Sequence, residues 1–232
     1  MKKQGKKYVE ASALVDKTKT YELSEAVKLV KQTSTTKFDS SVEIAMNLNI
    51  DTKKADQQLR GSIVLPSGTG KTKKILVLAK GPAAEEAKKA GADYVGDQDL
   101  IDKIAKEAWF DFDVIIATPE LMPALGKIGK VLGPKGLMPN PKTGTVTPTP
   151  AKAVADVKSG MIEYRADSFG NVQGIIGKVS FDEKAIAANL TYFISTIIKN
   201  KPSSVKGKFV KTITISTTMG PGIRLNLNSF DI

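Results

Sequence analysis

From residue 73 onward, short apolar runs alternate with helix-like stretches. Ile75-Leu76-Val77-Leu78-Ala79 is followed by Pro82 to Ala90, then Asp93-Tyr94-Val95, Asp99 to Ala108, and Val114-Ile115-Ile116-Ala117. This order predicts a βαβαβ unit. Its strands are apolar without interruption, which predicts a parallel sheet covered on both faces. Pro82 at the first helical turn and Gly91 just beyond the last one frame the first helix.

The flanking segments carry a different period. Over residues 41–50, Val42, Ile44, Met46, Leu48 and Ile50 fall on one face, with Ser41, Glu43, Ala45, Asn47 and Asn49 on the other. Strict alternation of this kind predicts an antiparallel strand with one face open to water. Residues 209–218 repeat it, with Phe209, Ile213 and Ile215 inward and Thr212, Thr214, Ser216 and Thr218 as a row of hydroxyls outward. Between them, Ser180-Phe181-Asp182-Glu183 has the spacing of a capping box. It opens a helix whose Ile186, Leu190, Phe193, Ile194 and Ile197 share a face.

Neither flank alone, 67 residues before the middle unit and 73 after it, is expected to bury a stable core, whereas together they match one ordinary domain. The reading is therefore a two-domain chain combining α/β and α+β classes. Residues 1–67 and 160–232 form a discontinuous α+β domain, and residues 68–159 an inserted Rossmann-like α/β domain. The crossings are placed at turn-forming residues, Pro66, Gly68 and Gly70 on one side and Ser159 and Gly160 on the other.

Composition narrows the chemistry. The chain has no histidine and no cysteine, so imidazole bases, thiol nucleophiles, disulfides and the common zinc ligand sets are all excluded. No pair of carboxylates stands out for acid–base work, and neither a cofactor nor a metal is expected. No apolar run approaches the roughly 20 residues needed to span a bilayer, and the lysine-rich start lacks a signal-peptide core, so a cytosolic location is expected. A net charge of +11 and a pI near 9.6 favour polyanions. The charge is uneven: residues 68–159 hold 14 Lys and Arg against 11 Asp and Glu, and the flanks 21 against 13, which makes the flanks the better nucleic-acid surface.

Four segments are candidate sites, each with an ordinary alternative. Gly68-Thr69-Gly70-Lys71-Thr72 resembles a phosphate loop, but Leu65 stands where the first glycine is required and the segment precedes a strand of the α/β unit; a basic interdomain hinge is the better reading. The glycine-, proline- and lysine-rich stretch from Gly126 to Lys142 can lay Lys127, Lys130, Lys135 and Lys142 along a phosphate backbone, or be a plain surface loop. Thr217-Thr218-Met219-Gly220-Pro221-Gly222 allows close backbone approach to RNA, or is a simple hairpin turn. Phe38 can stack on a base, although a lone phenylalanine beside a strand more often belongs to the core.

Five strings in order bear on these alternatives: K-F-D at 37–39, L-R-G-S-I-V-L-P-S-G-T-G-K at 59–71, G-A-D-Y-V-G at 91–96, L-G-P-K-G-L-M-P-N-P-K-T-G-T at 132–145 and T-T-M-G-P at 217–221. Together they closely resemble the ribosomal protein L-one family of the large-subunit stalk. One departure is Ser67, where many members carry histidine.

The resemblance implies a split α+β domain with an inserted three-layer α/β domain joined by a hinge. It implies a non-enzymatic protein, monomeric within the large ribosomal subunit, that binds the rRNA of the mobile stalk and assists release of exit-site tRNA. It also implies repression of the protein's own operon by binding the mRNA leader. By matching motifs, the rRNA contacts would be Lys37, Phe38, Ser41, Arg165, Asp167, Lys178, Ser216, Thr218, Met219 and Gly220. Two rival readings are a nucleotide-dependent enzyme using the carboxyl ends of the parallel strands and a free-standing regulator that binds only mRNA.

Overall fold

The computed structural model describes residues 5–230. In chain order the helices are α1 (Lys6–Ala13), α2 (Leu23–Gln32), α3 (Pro82–Lys89), α4 (Gln98–Glu107), α5 (Met122–Lys127), α6 (Gly129–Leu132), α7 (Pro150–Lys158) and α8 (Glu183–Lys199). The strands are β1 (Ser41–Leu48), β2 (Arg60–Val64), β3 (Ile75–Leu78), β4 (Tyr94–Gly96), β5 (Val114–Ala117), β6 (Met161–Arg165), β7 (Asn171–Lys178), β8 (Val210–Thr217) and β9 (Ile223–Arg224). They belong to two compact units, one built from residues 1–70 and 162–232 and the other from residues 71–161.

The discontinuous unit is organised around β1. This strand pairs antiparallel with β7 on one side and β8 on the other, in a sheet ordered β7-β1-β8-β9. The alternation read over residues 41–48 sorts the two faces: Val42, Ile44, Met46 and Leu48 are fully buried, while Ser41, Glu43, Ala45 and Asn47 look outward. Against the inner face lie Val27 and Val30 of α2 and Ile186, Leu190, Phe193, Ile194 and Ile197 of α8. Each such side chain contributes about 1.5–3 kcal/mol by leaving water. A two-stranded sheet, β2-β6, adds Ile63, Ile162 and Tyr164 to the same core. The Tyr164 ring meets Phe193 edge-on, with centroids 6.4 Å apart.

Alternation is not strict over 209–218, because the β1–β8 register shifts between Asn47 and Leu48, which pair with Thr212 and Val210. Lys211 is passed over, so Val210 and Ile213 both turn inward although they are three positions apart. The capping box before α8 does not form either. Asp182 is the N-cap without a side-chain bond, and Ser180 is engaged elsewhere, its amide and hydroxyl donating to the two carboxylate oxygens of Asp39 at 3.1 and 2.8 Å.

The other unit is the three-layer α/β arrangement. Its strands are parallel in the order β4-β3-β5, and every residue of β3 is buried. Successive side chains of β3 serve opposite layers, as strand geometry requires. Leu76 and Leu78 join Ile101 and Ile104 of α4, Leu125 of α5 and Leu132 of α6, while Ile75 and Val77 join Ala87 of α3 and Val154 and Val157 of α7. The stretch from Gly126 to Lys142, read as a loop, is only partly one: α5 and α6 run into it, and Leu132 is fully buried. Among the described residues, no helix is long and apolar enough to cross a membrane.

Candidate nucleic-acid interface

At the end of the four-stranded sheet where β1 begins, the antiparallel register brings three chain segments side by side. Ser41 pairs with Lys178, the last residue of β7. On its other side, the Ser41 amide donates to Thr218 Oγ1 and the Thr218 amide donates to the Ser41 carbonyl, both at 3.2 Å. The Lys178 ammonium donates to Ser41 Oγ at 3.0 Å and to the Asp39 carbonyl at 3.3 Å. The loop that enters β1 is fixed from within, since Thr36 Oγ1 donates to the Phe38 carbonyl and Asp39 holds Ser180.

Two large apolar side chains stand in water on the loops beside this junction: Phe38 is 59% exposed and Met219 is 62% exposed. The core reading of Phe38 therefore does not hold. Gly220 could not be another residue without local rearrangement, because a Cβ there would lie 2.3 Å from Thr217 Oγ1. Lys37 is exposed on the same loop as Phe38. Ser216 lies one step further along the open face, opposite Glu43. Glu43, opposite Ser216, shares this open face beside the junction, and its place in the alternating pattern is the signal for it; Thr212 and Thr214 lie further along the same face, with Thr212 opposite Asn47 at the far end of β1.

Arg165 and Asp167 are not at this junction. Asp167 binds Asn171, which pairs with Asn47 at the far end of β1. Asn47 lies six positions along the strand from Ser41, about 20 Å. The Asp167 carboxylate is occupied with its own turn. It accepts from the Asn171 side chain at 2.9 Å and from the Phe169 and Asn171 amides at 2.8 Å. Those bonds, Asn171's foremost, hold its pKa below the usual carboxylate value.

The four lysines of the basic segment are all exposed, but they do not converge. Lys127 and Lys130 lie on α5 and α6. Lys135 sits over the Phe110 ring, 4.3 Å from its centroid, just before β5 begins. Lys142 lies near Thr145, whose carbonyl accepts from Ala117 at the other end of β5. That strand alone spans about 10 Å.

Around the chain crossings, Gly68 and Gly70 adopt φ of 67° and 71°, and Gly160 adopts 102°. Pro66 to Gly70 belong to the discontinuous unit and Ser159 and Gly160 to the inserted one. Ser159 donates its hydroxyl to Ala155 at the end of α7. The phosphate-loop resemblance fails structurally, because strand β3 and not a helix follows Lys71, so no helix N-terminus faces the turn. The turn is instead held by Asn189 of α8, a fully buried amide that the sequence did not single out. Its Oδ1 accepts from the Ser67 amide at 3.0 Å, and its Nδ2 donates to the Gly68 and Ile176 carbonyls at 3.0 and 2.7 Å. Only its spacing on the apolar face of α8 could have flagged it. Among the described residues no group of three side chains could hold a metal ion.

The family pattern described as "Ribosomal protein L1p/L10e family" matches residues 30–221, which take in all three segments of the junction and the whole inserted unit. The chain belongs to the ribosomal L1p/L10e family. It is similar to the large ribosomal subunit protein uL1 of Mesoplasma florum, at 58% identity over 98% of this chain and 100% of the relative. It is also 58% identical to the protein of the same description from Onion yellows phytoplasma, over 97% of each. The L1p/L10e family is one of structural ribosomal proteins and not of enzymes.

Proposed function

We propose that the chain is a cytoplasmic component of the large ribosomal subunit that binds stalk rRNA through the Ser41 end of its four-stranded sheet. The observation that carries this reading is the pairing of exposed Phe38 and Met219 on loops anchored to a hydrogen-bonded Ser41–Thr218–Lys178 junction. Hydroxyls and backbone meet ribose and phosphate, the aromatic ring and thioether pack on bases or sugars, and Lys37 and Lys178 supply phosphate attraction. Ser216 and Gly220 complete the surface. The same surface serves repression of the protein's own operon by binding the mRNA leader. Assistance in releasing exit-site tRNA uses hinge motion of the inserted domain, with Lys127, Lys130, Lys135 and Lys142 as secondary contacts.

The test is equilibrium binding of the full chain to the stalk rRNA fragment and to an unrelated folded RNA of equal length. Phe38→Ala and Met219→Ala are each expected to weaken stalk binding by about fivefold or more, the scale of one lost stacking contact, and to leave binding to the unrelated RNA unchanged. Raising salt lowers affinity for both RNAs. Equal affinity for the two RNAs in every variant would sink the reading.

A further inference from the structure

The chain has no cysteine, so the side chains most open to mild two-electron oxidation are the methionine thioethers. Among the described residues these are very unequally placed. Met46 and Met161 are buried, and Met122 and Met138 are half-buried against the core of the inserted unit. Met219 alone is open to solvent, at 62% exposure.

The turn that carries Met219 is held by its backbone and its neighbours, and not by the thioether. The Gly220 amide donates to the Thr217 carbonyl at 3.0 Å and the Thr218 amide to the Ser41 carbonyl at 3.2 Å. Thr217 and Pro221, two residues to either side, are buried, and Ile223 beyond them lies in the core of the discontinuous unit. Among the described residues the Met219 side chain packs into no core cluster. A change at the sulfur therefore alters what the turn presents without altering the turn.

We infer that Met219 is a redox modification site, at which a hydroperoxide converts the thioether to the sulfoxide and so weakens RNA binding at the Ser41 junction. This rests on the RNA-binding reading above. The sulfur lone pair attacks the terminal peroxide oxygen; the S–O bond forms as the O–O bond breaks, and the departing oxygen takes up a proton to leave as water or an alcohol. Sulfur gives up two electrons and the peroxide gains them. Two thiols of a reductase reverse the step, returning the thioether together with a disulfide and water. The thioether is polarizable and weakly hydrated, which suits it to lie on a base or sugar. The sulfoxide carries a polar S–O group, and packing that group on a base strips its water. Apolar contact alone does not call for sulfur, since leucine fills a similar volume.

The experiment treats the full-length protein with limiting hydrogen peroxide and maps the oxidation by peptide mass spectrometry. Affinity is then measured for the stalk rRNA fragment and for an unrelated folded RNA of equal length. Trypsin cleavage after Lys211 and Arg224 releases Met219 as the sole methionine of its peptide. Met219 is expected to gain one oxygen before Met122 and Met138, with an unchanged melting temperature. Affinity for the stalk fragment should fall by about fivefold or more, the scale of one lost base contact, and return after treatment with a methionine sulfoxide reductase. Met219→Leu, whatever its starting affinity, should show no change on peroxide treatment. Oxidation of Met122 or Met138 ahead of Met219, a sulfoxide at 219 that leaves affinity unchanged, or an equal peroxide response in Met219→Leu each overturns the inference. The ribosomal reading survives those results as long as the untreated protein prefers the stalk fragment. If the untreated protein binds both RNAs equally, that reading falls and the inference falls with it.

Discussion

Asn189 illustrates how much one buried amide can fix. All three of its hydrogen bonds reach backbone groups, and two of them, at Ser67 and Gly68, hold the chain just before it leaves the discontinuous unit. Replacement by leucine keeps the volume and the helix but leaves the Ser67 amide and the Gly68 and Ile176 carbonyls without their partner, the bond to Ile176 being buried and the other two partly so. Asn189→Leu is expected to lower stability by about 1–3 kcal/mol in urea unfolding, the penalty for one unsatisfied buried group. A loss below about 0.5 kcal/mol would mean that water satisfies those groups. Phe38, Met219 and Phe169 are the reverse case, large apolar side chains left in water on backbone that other residues hold in place.

At the level of elements, the close contact between β7 and α8 depends on the small residue at Gly174. A Cβ there would fall 2.9 Å from Phe193 Cε2, in the middle of the core. Gly174→Ala should cost about 1–3 kcal/mol, the usual penalty of overpacking, visible as a lower denaturation midpoint with an unchanged slope. An unaltered midpoint would show that the Phe193 ring yields freely. The parallel unit was readable because Ile75–Leu78 and Val114–Ala117 carry uninterrupted apolar runs, and β1 because its alternation survives in the fold. Helices α5 and α6 were not, since Gly126, Gly129, Gly133 and Pro134 mask a short helical period whose buried anchors are Leu125 and Leu132. Nor could sequence alone separate Asp167 from Ser41. Both sit among polar residues near strand ends, and only the register of β1 against β7 reveals that the ends are opposite ones.

At the scale of the molecule, positive charge is concentrated on the discontinuous unit, with 21 Lys and Arg against 13 Asp and Glu, where the inserted unit has 14 against 11. The split construction also bears on how the protein is made. Ser41 meets Thr218, 177 positions later, so at synthesis rates of about 5–20 residues per second β1 waits roughly 9–35 s for its second neighbour. The inserted strands need no such wait, because β3, β4 and β5 all lie within residues 75–117. Stalled nascent chains that have emerged only to about residue 200 should therefore show residues 71–161 resisting protease while residues 5–70 are still cut. Early protection of 41–48 would contradict that order. During the interval Ile44 and Met46 have no completed sheet around them, which makes the newborn amino-terminal segment a natural client for a chaperone at the tunnel exit and a weak point whenever translation slows near its end.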